Sequence, residues 1–160
     1  MFSGDEVMDL ERDARTTLMS VPMGELDEDR MIRAFRGRRP AHDLPDKQAA
    51  VDAVIKFRDG DRNTGLVWAR GFMSVFVADI RRSLCSKHGG SGASRLTAAT
   101  AKGAATAIAS WLMAAFSVTN PFAIALAAFV TILMSSAAMS SFCVMTDQEV
   151  LRHLQVSAAQ

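Results

Sequence analysis

GAATAIASWLMAAFSVTNPFAIALAAFVTILMSSAAMSSFCVMT, from Gly103 to Thr146, is 44 residues long and carries no charged side chain. Asn120-Pro121 breaks it near the middle. One membrane-spanning helix needs about 20 mainly apolar residues, so the stretch accommodates two helices and a tight turn. It fills more than a quarter of the 160 residues, and it decides the expected class: an all-α chain ending in a hydrophobic helical hairpin that crosses a membrane.

The rest of the chain is polar by contrast. Of 18 Lys and Arg only Arg152 lies beyond Lys102, and of 17 Asp and Glu only Asp147 and Glu149 do. A net charge of +1 therefore hides strong segregation. Residues 1–30 hold nine acids against Arg12, Arg15 and Arg30, whereas residues 31–102 hold fourteen bases against six acids. Four parts follow: a polar helical domain over 1–86 (acidic in 1–30, basic in 31–86), a Gly/Ser linker over 87–94, the hairpin over 95–146 with its turn at 119–121, and a polar tail over 147–160.

About four helices are expected in the polar domain. Ser3 can cap the first, with Asp5 and Glu6 at its dipole-favoured start and Val7, Leu10, Ala14 and Leu18 as its apolar stripe. A short one fits Asp27 to Phe35. Pro45 suits the first turn of a third, which runs to Arg58. After the turn cluster Asp59 to Gly65, a fourth runs from Leu66 to Cys85 with dense apolar residues. Beyond the linker, helices are expected over Leu96–Val118 and Phe122–Met145, with a short one from Asp147 to Leu154. No strand pattern stands out.

Small residues recur four apart in the hairpin. Ala99, Gly103 and Ala107 share one helical face, and Ala123, Ala127, Thr131 and Ser135 share another. In lipid such stripes let helix backbones approach closely, which makes them the candidate packing or oligomer interface. Arg81, Arg82, Lys87, Arg95 and Lys102 precede the hairpin, so the positive-inside tendency places the N-terminal domain on the cytoplasmic or matrix-like side. Arg33, Arg36, Arg38 and Arg39, together with Arg81 and Arg82, are candidate contacts for anionic lipid or an acidic partner; nucleic acid ranks last, because no recognition motif accompanies them.

Leu96 to Met145 is similar in character to the Ala-rich, uncharged helical pair of the colicin-type pore-forming toxins. They carry it inside a water-soluble helical bundle until a membrane is met. Against such burial here stands the size of the polar region, about 90 residues, which looks too small to cover two long apolar helices.

Catalytic chemistry is hard to find. Asp59, Asp61 and Asn63 imitate the start of a calcium loop, but Arg70 stands where a bidentate acid belongs. Cys85 and His88 supply only two ligands, and zinc needs three or four. No phosphate loop, dinucleotide fingerprint or nucleophile elbow occurs. Neither metal nor cofactor is expected, and Cys85 and Cys143 are expected as reduced thiols. The N-terminus is acidic and lacks the apolar core of a secretory leader, so insertion would be directed by the hairpin itself. The expected protein is a non-enzymatic accessory or assembly subunit of a membrane complex. Its partners would be the lipid bilayer and other membrane subunits or further copies of itself. A pore-forming protein with an oligomerising hairpin, and a soluble helical interaction protein that buries the hairpin in an oligomer, are the alternatives.

Overall fold

The computed structural model describes residues 2–22, 29–30, 44, 46–87, 94–96, 100–136 and 142–155. Among these, six helices and one short ribbon form: α1 (Gly4–Met19), α2 (Lys47–Arg58), α3 (Asn63–Leu84), β1 (Cys85–Lys87), β2 (Ser94–Leu96), α4 (Ala101–Phe116), α5 (Asn120–Ser136) and α6 (Asp147–His153). Apart from Asp29 and Arg30, the helix expected over Asp27–Phe35 lies outside the described residues, as do Ala99, Arg33, Arg36, Arg38 and Arg39.

α1 forms as its sequence indicates. Ser3 and Glu6 make a reciprocal capping box, and Leu10, Ala14 and Leu18 are its buried side. α3 starts three residues earlier than expected, because Asp61 accepts the Asn63 N–H at 2.9 Å and the Thr64 hydroxyl at 3.3 Å. The acids that imitate a calcium loop thus serve a helix start and, at Asp59, an ion pair with Arg58. Phe76 leaves helical geometry (φ −115°, ψ 20°) and kinks α3. α4 ends at Ser117, which takes the left-handed conformation of a C-cap and donates its N–H to Met113 O.

α5 is the hub. It packs against α1, α2, α3 and α4. Phe122, Ala123 and every residue from Ala125 to Met134 are buried. The polar part of the chain is therefore large enough to cover this helix, contrary to the expectation from its size. Two features make that possible. Only α5 is surrounded: α4 keeps Lys102, Thr106, Ser110 and Ala114 exposed, so it needs covering on one side alone. Alanines on α4 and α5 also let neighbouring backbones come close, so few helices suffice.

Aromatic rings fill the space between α3 and the hairpin. Trp68 stacks on Phe72 at 4.9 Å, and Phe72 and Phe76 meet Trp111 and Phe116 edge-on at 5.2–5.9 Å. Phe129 of α5 stands edge-on to Phe57 of α2 at 5.0 Å. Arg15 closes the other side of Phe57, its guanidinium 4.5 Å from the ring centre and its Nε donating to Phe57 O.

Three expectations change. Among the described residues no helix is long and apolar enough to cross a membrane. α4 has 16 residues and α5 has 17, about 25 Å at 1.5 Å per residue, against a hydrocarbon core of about 30 Å. α4 and α5 pack on each other and, in this fold, against the other helices of the protein. Secondly, the segment read as a plain linker begins and ends in an antiparallel ribbon pairing Cys85 with Leu96, Ser86 with Arg95 and Lys87 with Ser94. Strands of three residues are too short to show an alternating pattern. Thirdly, Cys85 and Cys143 are joined in a disulfide, their Cα atoms 5.6 Å apart, which also removes Cys85 as a metal ligand. The sequence separation of 58 gives a loop-entropy contribution of about 4 kcal/mol.

At Gly65, α3 approaches Phe129 of α5 closely. A Cβ placed there would lie 2.5 Å from the Phe129 ring, which is held by Phe57 and Trp68 and has no room to yield. Although alanine is the better helix former, Gly65→Ala should lower stability by about 1–3 kcal/mol through overpacking. Urea unfolding checks this, and Phe129→Leu in the same chain should recover part of the loss.

Candidate functional site

The side chains that could act lie at the open end of the hairpin. Between that end and the turn, α4 and α5 meet the rest of the protein through apolar surface. Thr131, buried in α5, donates its hydroxyl to Ala127 O one turn back at 2.8 Å, and Ser136 donates to Leu133 O. Thr106 of α4 likewise bonds to Lys102 O. Among the described residues, no hydrogen bond or ion pair joins an α5 side chain to another helix, and Ser135 Oγ is buried without a partner.

Polar ties gather where the hairpin starts and where it is left. At the start, the α4 N-terminus docks on α1. The Ala101 N–H donates to Glu6 Oε1 at 3.3 Å, and Lys102 Nζ bridges Asp13 Oδ2 at 2.6 Å. The Lys102 ammonium, hydrogen-bonded to Asp13, holds that carboxyl below the ordinary Asp value. The same bond and charge hold Lys102 above the ordinary Lys value. A depressed carboxylate and a raised amine have opposite limits. The pair contributes fully above the ordinary Asp pKa and below the ordinary Lys pKa. It is lost as pH falls through the Asp13 value or rises through the Lys102 value.

Beyond the hairpin, three ties join the end of α3 to the segment after α5. Cys85 and Cys143 supply the covalent one. Arg81, one turn before Cys85, donates Nη1 to Asp147 Oδ1 at 2.6 Å and Nη2 to Cys143 O at 3.4 Å. Asp147 opens α6, whose Val150 and Leu151 are buried, and Thr146 caps that helix by accepting the Glu149 N–H. Arg81 Nε is buried without an acceptor.

Of the candidate stripe residues, Ala123, Ala127 and Thr131 are buried against the chain's own helices, while Gly103, Ala107 and Ser135 are partly exposed. Of the candidate arginines, Arg81 belongs to the clasp just described, and Arg82 is exposed and pairs with Asp79 at 3.1 Å. The clasp was missed in the sequence. Its signal is a symmetry: Arg81 precedes Cys85 by four residues, and Asp147 follows Cys143 by four.

No group of three or more His, Cys, Asp or Glu side chains converges among the described residues. Comparison of the chain with protein-family models, with curated proteins and with solved structures gives no match. Asp13→Asn should bring the Lys102 pKa down toward its ordinary value, followed by heteronuclear NMR titration of the side chain. An unchanged titration would mean the ion pair does not persist in solution.

Proposed function

We propose that this chain is a non-enzymatic, membrane-associating helical protein that carries its uncharged hairpin inside a bundle and delivers it to a bilayer when the bundle opens. One observation carries the reading. The middle of the uncharged run, α5, is enclosed by the other helices, and among the described residues the side-chain polar contacts between α4–α5 and the rest of the bundle lie at the start of α4 and beyond α5. Such a hairpin can exchange a protein environment for lipid without leaving side-chain hydrogen bonds behind, because those of α5 are made within the helix itself. The arrangement is also the one that the likeness to colicin-type toxins implies.

Insertion as a unit needs an uncharged turn, and Ser117 to Pro121 has no ionisable group to drag across. The sequence after Ser136 stays uncharged through Thr146, which leaves residues to lengthen α5 to the roughly 20 that lipid demands. Lys102 and the arginines before it would stay on the side of entry, a cytoplasmic or matrix-like side. Once in lipid, the face bearing Ala123, Ala127 and Thr131 is free to meet a second helix, either from a larger membrane complex that this chain joins as an accessory subunit or from another copy in a pore.

A second reading, a helical interaction protein that never releases the hairpin, is favoured by how completely one chain buries α5. The two are separated by Trp111. In a Trp68→Phe variant it is the sole tryptophan, and it sits in the middle of α4. Vesicles of phosphatidylcholine and phosphatidylglycerol with brominated acyl chains should quench its emission, and the protein should float with them. Flotation with release of trapped dye would mark a pore, and flotation without release an anchor. Neither quenching nor flotation, in oxidised and in reduced protein alike, would leave the interaction protein.

A further inference from the structure

We propose that the Cys85–Cys143 disulfide is a reducible latch: a dithiol reductant cuts it and frees the exit end of the hairpin while the centre of the bundle stays folded. The bond joins the residue after α3 to the segment after α5 and so encloses the whole hairpin in one loop. Its two sulfurs differ in access. Cys85 is partly exposed, whereas Cys143 is nearly buried at 8%. Cys85 is therefore the more accessible of the two residues for an attacking thiolate, and attack there makes Cys143 the sulfur that leaves.

The exchange balances. One thiolate of the dithiol attacks Cys85 Sγ, forming a mixed disulfide and expelling Cys143 as a thiolate. The second thiol of the reductant then closes on its own sulfur and releases Cys85. Two electrons pass from the dithiol to the protein, the reductant ends as a disulfide, and each cysteine takes one proton. Arg81 favours the step. Its guanidinium is already bonded to the carbonyl of Cys143, which brings a positive charge to the residue whose thiolate develops.

What remains after cleavage is weak by itself. The Arg81–Asp147 pair is partly open to water, its side chains 22% and 44% exposed. α6 has seven residues, too few to hold a helix without docking. α5 needs no help from this end, since Leu126, Ala127, Ala128, Phe129 and Val130 are enclosed by α1, α2, α3 and α4. The purpose of the latch rests on the membrane reading, but its existence does not.

Hydrogen exchange read by mass spectrometry on the full chain, without lipid, tests it in oxidised protein and after dithiothreitol. Reduction should speed exchange over residues 142–154 about tenfold or more, while amides at Leu126–Val130 keep their protection. Reoxidation should restore the first state, and Cys85→Ser with Cys143→Ser should reproduce the reduced one. The proposal fails if residues 142–154 stay protected after reduction, if all protection is lost together, or if the bond resists dithiothreitol in the folded chain. Arg81→Met in the oxidised protein should leave that segment protected. Opening as wide as reduction causes would make the ion pair the latch and overturn the proposal. Local opening without lipid binding in either state would sink the membrane reading alone.

Discussion

A helix with no polar face has to be enclosed on every side, and each neighbour of α5 is placed by that requirement. α1, α2, α3 and α4 are apolar on one face only, so no single one of them could cover it. Together they do, provided they come close. The absence of a side chain at Gly65 admits Phe129, and the alanines of α4 and α5 bring their backbones into contact. The aromatic rings of α3 then fill the volume that small residues leave. Packing of this kind is driven by removing apolar surface from water and is non-directional, so the fold's polar contacts are left for its margins.

Those margins carry the specificity. Glu6 serves two helices at once, closing the capping box of α1 and accepting the first N–H of α4. Lys102, the last charge before the uncharged run, reaches Asp13 rather than water alone. Asp147, the first charge after the run, meets Arg81. The two charges that bound the hairpin in the sequence are thus the two that tie it down in space.

Much of this was legible residue by residue. The stripe of α1 and the density of α3 follow from spacing, and the break between α4 and α5 falls two residues before the expected turn: residues 117–119 are non-helical, while Asn120 and Pro121 open α5. What hydropathy could not decide was the medium. An uncharged run states how much surface must leave water, and it is silent on whether lipid or protein replaces it. The disulfide was illegible for another reason. Two cysteines 58 residues apart become neighbours only once the hairpin folds back along α3, and nothing local announces it.

The position of α5 along the chain has a consequence for biosynthesis. α1, α2 and α3 leave the ribosome before the helix they are built around. Until α5 follows, α2 and α3 can pack on each other and Phe72 on Trp68, but the sides of Phe57 and Trp68 that meet Phe129 stay uncovered. Contacts among α1, α2 and α3 can form early, but the core they enclose is completed only when α5 arrives. Completion of the core waits for one late segment, and during that interval the nascent chain exposes apolar surface that its finished core will later cover. Anything that lengthens that interval, such as slow synthesis between Leu84 and Asn120, prolongs the exposure.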